Sequence, residues 1–589
     1  MRASPVIRLA ALALLTLPAL GLANTPDPPA PVSEVQPVQE YSIPFGPVAV
    51  GDRMKQPEPL THLGTDFGRM GPGGPRIEWR DGEAVIDTHN SGWAGLWHSL
   101  AGLGREKDRT LDFLRCYPPQ IVDRFQPRAT GVIVRLGGQG RFRLEVKSAD
   151  GQALWSWEHD FASPTPMREF VLDCPPEKLR AAKFLNWVAE PGSRFAVDRL
   201  ALRVEFPPVP FPEKVFLISY AKLAHCYDPV GGLVKDRAHR PEGTHGSVPA
   251  SGMYALATSV AWTKGIVERP FAERTLHEIH RVVSSLPRAD GWLPHYVNRE
   301  ADGRYEMIPG TEYSTVDTSL YYHGMILAAQ VLGDRGMLAE LDREVHGLRF
   351  DKLWTTDGWV NHGFLQDGHT PLRGVWNGWG GETALVLLLE RMALGDHAPL
   401  KMAPLGSVHN GVGFIGEIQS LFYPQFDQDR PDAVTEIDWR KSRLRLLRAQ
   451  EDYYPVHEPA SPAAKAGLFG LSAGVGYRGL NYAANGTDKV RDDLIHPHYM
   501  LMAGRWQPER TFELLRRMES EGLLPPWGLV ENVKPDLSEY LPMLGSLNAA
   551  FETLGAYHLW ARDEHQADVI DQAAQTCPLT AEAIRGFYP

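Results

Sequence analysis

The sequence predicts an N-terminal β-sandwich followed by a barrel of paired inner and outer helices, an (α/α)6 barrel. Three observations predict it. From about residue 41 to 210 the apolar positions alternate with period two. Pro207, Pro208, Pro210 and Pro212 then interrupt the chain. After them the period becomes helical, and segments apolar on nearly every side alternate with amphipathic ones. A chain of 589 residues, 43% hydrophobic and 22% charged, is of ordinary globular composition and long enough for two or three domains.

The first element is an address. Arg2 and Arg8 precede an apolar run, Leu9 to Leu22, that ends at Gly21-Leu22-Ala23. This predicts a signal peptide over 1–23, cleaved after Ala23. Residues 24–40 hold Pro26, Pro28, Pro29, Pro31 and Pro37 and read as an extended linker. Together they predict a periplasmic or secreted protein. No later stretch reads as a membrane span.

The β-sandwich is expected over 41–210. Phe142, Leu144 and Val146 share one face of a strand, and Leu200, Leu202, Val204 and Phe206 share another. Gly137-Gly138 and Asp150-Gly151 supply turns between such strands. This domain reads either as a structural collar or as an accessory carbohydrate-binding module.

The barrel is expected over 211–589, from about twelve helices that include 316–332, 411–424, 544–561 and 563–575. Gly252 to Ala261 and Gly545 to Ala556 are small or apolar all round, as buried inner helices require. Pro270 to Ser285 is amphipathic, with Pro in the first turn, where its missing N–H costs nothing. In a closed ring the first helix meets the last. Cys226 ends the first and Cys577 follows the last, so a Cys226–Cys577 disulfide is expected, leaving Cys116 and Cys174 to the sandwich.

Candidate chemistry lies in loops that run into inner helices. Glu312-Tyr313-Ser314-Thr315-Val316-Asp317 is one, and Trp376-Asn377-Gly378-Trp379-Gly380-Gly381-Glu382 is a second. Leu468 to Arg478 and Asp492 to Tyr499 are the others. The plain reading of Asp317 and Glu382 is that they are first-turn acids favoured by the helix dipole. It leaves unexplained the Trp, His and Gly residues beside them. The chain has 16 Trp and 19 Tyr, and flat amphipathic rings suit sugar faces. Trp292, Tyr296, Trp359, Trp376, Trp379, Tyr477 and Trp527 sit in Gly- or Pro-rich loops. At least three are expected to line one groove with Glu382. Glu312, Asp492, His245, Tyr313, Asn377 and Arg478 are further candidates for catalysis or substrate contact.

Those segments also resemble a family. Ser314-Thr315-Val316-Asp317-Thr318, the Trp376 to Glu382 segment, Leu468-Phe469-Gly470-Leu471-Ser472, and Gln419, Tyr423, Asp438-Trp439-Arg440 and Gln450 fall in the order seen in the bacterial "glucoamylase-like" family, which includes endo-β-1,2-glucanases. The resemblance spans about 212–562. It implies an (α/α)6 barrel, an acidic residue of the catalytic centre at Glu382, and Asp317 in the same acidic pocket. The chain departs from the family where Ser472-Ala473-Gly474 replaces an expected Asp-Gly-Pro and Asp492 to Pro497 replaces Asp-Gly-Thr-x-Ala-Pro. Those segments would line the cleft.

The expected function is therefore hydrolysis of a bacterial glucan or related exopolysaccharide, inverting, with Glu382 as acid and Asp317 as base. Two alternatives stand beside it. A polysaccharide lyase would draw on His245, Tyr313, His323, His362, His496 or Tyr477. A non-catalytic glycan-binding or polysaccharide-assembly protein would use the aromatics alone. With 60 basic and 72 acidic residues, net charge −12 and no basic run, nucleic acid is not an expected partner. There is no C-x-x-C, H-E-x-x-H or Walker loop, and no metal or cofactor is expected.

Overall fold

Antiparallel strands fill the chain up to Glu205 and helices dominate from Phe211 onward. The computed structural model describes residues 39–43, 48–50, 58–60, 67–72, 77–80, 83–88, 92–99, 117–238, 245–399, 411–475, 482–490, 493–525, 528–537, 540–541 and 545–589. The expected signal peptide and most of the linker lie outside these residues. Gln39 and Glu40 begin a strand, Gln39–Ile43, paired to Arg194–Glu205.

Nine strands make one antiparallel sheet among the described residues. Its frame is the long strand Arg128–Lys147. One side pairs along its length with Ala153–Asp173. On the other side its first part pairs with Arg194–Glu205 and its last part with Phe184–Ala189. The changeover falls at Gly137 to Gly140, where the pairing register shifts. The alternation seen in the sequence is the alternation of burial: Phe142, Leu144, Val146, Leu200, Leu202 and Val204 are all core residues. The β-region meets the helices through Val122 N–H, which donates to Ile266 O at 3.0 Å.

The long helices are Phe211–Cys226, Val248–Thr263, Arg269–Ser284, Thr315–Leu332, Arg335–His346, Gly380–Leu394, Trp439–His457, Pro508–Ser520 and Ser546–Asp563. Val248–Thr263 and Thr315–Leu332 are buried almost all round, whereas Arg269–Ser284 and Arg335–His346 bury one stripe. The two buried helices touch backbone to backbone. A Cβ on Gly324 would collide with Gly252 O, and one on Gly252 with the Tyr321 backbone, so only glycine fits at this crossing.

Three sequence expectations change here. The helix expected over 411–424 is a single turn, Gly413–Glu417, followed by a 3-10 turn, Ile418–Leu421. Buried Glu417, bound by Arg443 Nε at 2.6 Å, and buried Gln419 anchor this segment by polar contacts rather than by an apolar stripe. The last helix expected, 563–575, is shorter, Val569–Thr576, because Asp568 caps it through the Ile570 and Asp571 N–H groups. Pro578 then opens another helix, Pro578–Phe587.

The third is the Cys226–Cys577 disulfide, which does not form: Cys174, Cys226 and Cys577 are buried and make no disulfide with one another. Cys226 ends its helix near Asp236, whose charge it senses. Cys577 follows Thr576, which accepts a hydrogen bond from Gln330 at the far end of Thr315–Leu332. The two sulfurs belong to opposite ends of the helical region, and a disulfide needs Cα atoms within about 7 Å. Contact between the first long helix and the last is made instead by a buried ion pair, Lys222 Nζ to Glu552 Oε1 at 2.7 Å. Cys116 lies outside the described residues. No helix among those residues is long and apolar enough to cross a membrane.

Candidate active site

A cavity of about 610 Å³ opens where three helix N-termini converge, those of Thr315–Leu332, Gly380–Leu394 and Ser546–Asp563. Asp317 and Glu382 each occupy the third position of their helix, and both line the cavity. Ser314 caps the first helix by accepting from Asp317 N–H at 3.2 Å. Thr318 Oγ1 donates to Ser314 O at 2.6 Å and accepts from Leu293 N–H at 3.0 Å, which fixes the neighbouring loop. The second helix starts on Gly380, at φ 57°, and Gly381, where a Cβ would strike Gln419 Oε1. The Gly-Gly pair lets Glu382 begin its helix hard against the Ile415–Gln419 segment.

His295 joins the acids. Its Nδ1 lies 2.9 Å from Glu312 Oε1 and 3.5 Å from Asp317 Oδ2. Burial opposes the imidazolium, but Asp317 and Glu312 outweigh it and raise the His295 pKa. The His295 hydrogen bond lowers Glu312. Burial raises Asp317, against the pull of His295. Burial and the Asp317 charge push Glu382 up to about 8, so that it holds a proton at neutral pH. His295, Glu312 and Asp317 offer ligand atoms within 4.8 Å of one another, a spacing that could hold a cation. The mutual hydrogen bond and ion pairing already account for the three groups.

Aromatic rings complete the wall. Trp376 Nε1 donates to Thr315 Oγ1 at 2.6 Å, which pins the Trp376–Trp379 loop to the start of the Asp317 helix. The His362 ring sits 4.2 Å from Trp376 and 5.4 Å from Trp379. Trp379 is 41% exposed and Tyr482 53% exposed, so both keep open faces at the cavity. Tyr296, Trp376 and Trp379 are the three predicted aromatics that line it together with Glu382.

Other predicted residues lie elsewhere. Trp292 is fully buried, edge-on to Phe350, and Trp359 is buried outside the lining. Both are candidates for the groove wall by sequence, and their rings instead fill the core beneath those loops. Tyr313 spends its backbone on a short pairing with Phe364, and its buried ring does not reach the cavity. Asn377 is exposed and outside the lining. His245 stands behind Tyr296, edge-on at 4.7 Å, with Nε2 3.8 Å from Asp236 Oδ2. Glu312 lines the cavity. Asp492, Tyr477, Arg478 and Trp527 lie outside the described residues. Five lining residues carried no recognised signal: Asp236, His295, Tyr482, Glu531 and Asn548. His295 and Glu531 both follow Pro-rich loops, Pro294 and Pro525-Pro526, of the kind that marked the candidates which were found.

A G-x-S-x-G pattern does occur, at Gly470 to Gly474. Ser472 is fully buried, accepts from Phe414 N–H at 2.9 Å, and pairs with His498 Nε2 at 2.9 Å. It does not line the cavity, so it holds chains together rather than forming a nucleophile elbow.

No protein-family model and no curated protein sequence matches the chain. Solved structures do. The fold is shared with endo-β-1,2-glucanases. A β-1,2-glucanase from Parabacteroides distasonis superposes with TM-score 0.56 at 10% identity, covering 93% of this chain and 99% of its own. An endo-β-1,2-glucanase from Chitinophaga pinensis, in complex with sophorotriose and glucose, matches with TM-score 0.52 at 13% identity over 64% of this chain and 98% of its own. A candidate glucoamylase from Bacteroides caccae matches with TM-score 0.53 at 13% identity over 64% and 98%. At such identities the likeness is one of fold.

Proposed function

We propose that the protein is an exported, inverting glycoside hydrolase that cleaves a neutral bacterial glucan of β-1,2-glucan type, with its helices closed as an (α/α)6 barrel behind a β-sandwich. Glu382 is the general acid and Asp317 the base or the group that orients the attacking water. Glycosidic cleavage needs one protonated and one ionised carboxyl flanking the bond. The observation that carries the reading is the Glu382 carboxyl, held protonated to about pH 8 in the same cavity as Asp317, whose charge is supported by His295. Asp236, Glu312 and Glu531 add three more carboxyls to the wall, with Arg237 and His295 as the basic residues. Such a wall repels uronates, which weighs against a lyase. Trp379 and Tyr482 give sugar rings two faces to stack on.

The test is a screen of purified protein on linear and cyclic β-glucans and on uronate-containing exopolysaccharides, with product sizing and with the anomeric configuration of the first product read by NMR. Reducing-end release that disappears in Glu382→Gln supports the reading. Products absorbing as unsaturated uronates, or binding without cleavage, would replace it.

A further inference from the structure

We propose that Glu531, with Asn548 and Ser546, forms a hydroxyl-binding subsite that receives vicinal hydroxyls of a neutral glycosyl residue. The occupant is taken from the glycoside hydrolase reading of this cavity; the subsite itself is argued from its atoms. Glu531 is 1% exposed. Its backbone N–H donates to Leu541 O at 2.8 Å. Its Oε1 accepts from Val475 N–H at 3.2 Å and from Asn548 Nδ2 at 2.6 Å. Both bonds aim the second oxygen, and Oε2 has no partner among the described residues. Asn548 Oδ1 and Ser546 Oγ are likewise buried and unpartnered among those residues. All three side chains line the cavity.

A buried carboxylate oxygen without a donor costs free energy comparable to a lost charged hydrogen bond, so the site is completed by something that brings donors. Two of its three free atoms can only accept, and the serine hydroxyl can do either. A carboxylate or phosphate offers no donor and would meet Glu531 charge to charge. A pair of sugar hydroxyls offers two donors, one for Glu531 Oε2 and one for Asn548 Oδ1. The neighbouring wall suits a sugar too. Val475, which holds Oε1, is paired in its hairpin with Tyr482, whose ring is half exposed and whose phenol senses both Glu531 and Glu382. Tyr482, Glu531 and Glu382 line the same cavity, so a ring stacked on Tyr482 shares it with both the subsite and the acid.

The experiment has two arms. On whichever glucan the wild type cleaves, Glu531→Gln should raise KM about tenfold to a hundredfold, as expected for a lost charged hydrogen bond, and leave the alkaline limb of the pH profile in place. Ser546→Ala, which removes no protein hydrogen bond, should give a smaller rise and keeps the test alive if Glu531→Gln does not fold. The second arm needs no turnover: glucose is titrated into the wild type and both variants, read by the fluorescence of Trp376 and Trp379. Weakened glucose binding in the variants at unchanged melting temperature supports the subsite even if no polymer is cleaved, in which case only the hydrolase reading falls. Equal glucose binding in wild type and variants, or no saturable glucose signal, overturns it.

Discussion

Replacing Glu382 by Gln should make the protein more stable in alkali while abolishing its activity. The carboxyl is displaced from 4.5 in a free chain to about 8 in the folded one. The folded state thus prefers the protonated form. Below the free-chain value both states are protonated, and glutamine, the neutral mimic, changes little. Between the two values unfolding releases a proton, so wild-type stability falls as pH rises. Above about 8 the folded protein carries the full cost of an ionised Glu382 beside Asp317. At about 1.4 kcal/mol per pH unit the gap amounts to roughly 5 kcal/mol. Part of the side chain opens onto the cavity, so about 2–4 kcal/mol is the expected gain at pH 9. Urea unfolding of both proteins at pH 4, 6.5 and 9 measures it. Turnover should fall by orders of magnitude at every pH, since glutamine cannot donate the proton. A Glu382→Gln protein whose gain is the same at pH 4 and pH 9, or whose activity survives, refutes the assignment.

Other outcomes are expected. Trp379→Ala should raise KM about three- to tenfold through loss of a stacking face and lower the melting temperature only slightly, because 41% of the residue is exposed. Gly324→Ala should destabilise by about 3 kcal/mol or more, measured by urea unfolding, because the new Cβ meets the Gly252 carbonyl and neither backbone can retreat. A non-reducing peptide map should contain no Cys226–Cys577 cross-link.

The sequence carried the helices well because buried and amphipathic periods persist over whole segments. Thr315–Leu332 and Ser546–Asp563 start within about two residues of where periodicity puts them. It failed where polar contacts replace an apolar stripe, as at Glu417 and Gln419, and where a proline restarts a helix, as at Pro578. Asp317 and Glu382 were legible because each begins an inner helix after a loop rich in Gly and aromatic residues. His295, Asp236 and Glu531 were not, because each reaches the cavity from a loop with no period of its own. Trp292 and Trp359 carried the same local signal as Trp376 and Trp379. Only packing decides which of such rings turns inward, and that is set by residues distant in sequence. The missing disulfide has the same origin: periodicity places helices along the chain but does not say which of their ends meet.

The cavity draws on residues from Asp236 to Phe551, and the two ends of that span are stitched together. Ser546 N–H donates to Asp236 O at 2.8 Å, and Arg237 bridges to Gly545. Contacts between segments so far apart form late, since the intervening loop must close before they return any free energy. The acid wall is therefore assembled by the final docking of Ser546–Asp563 onto the segment after the first long helix. No fragment lacking either limit should retain a partial site. A circular permutant that leaves this seam intact should, by contrast, keep a whole one.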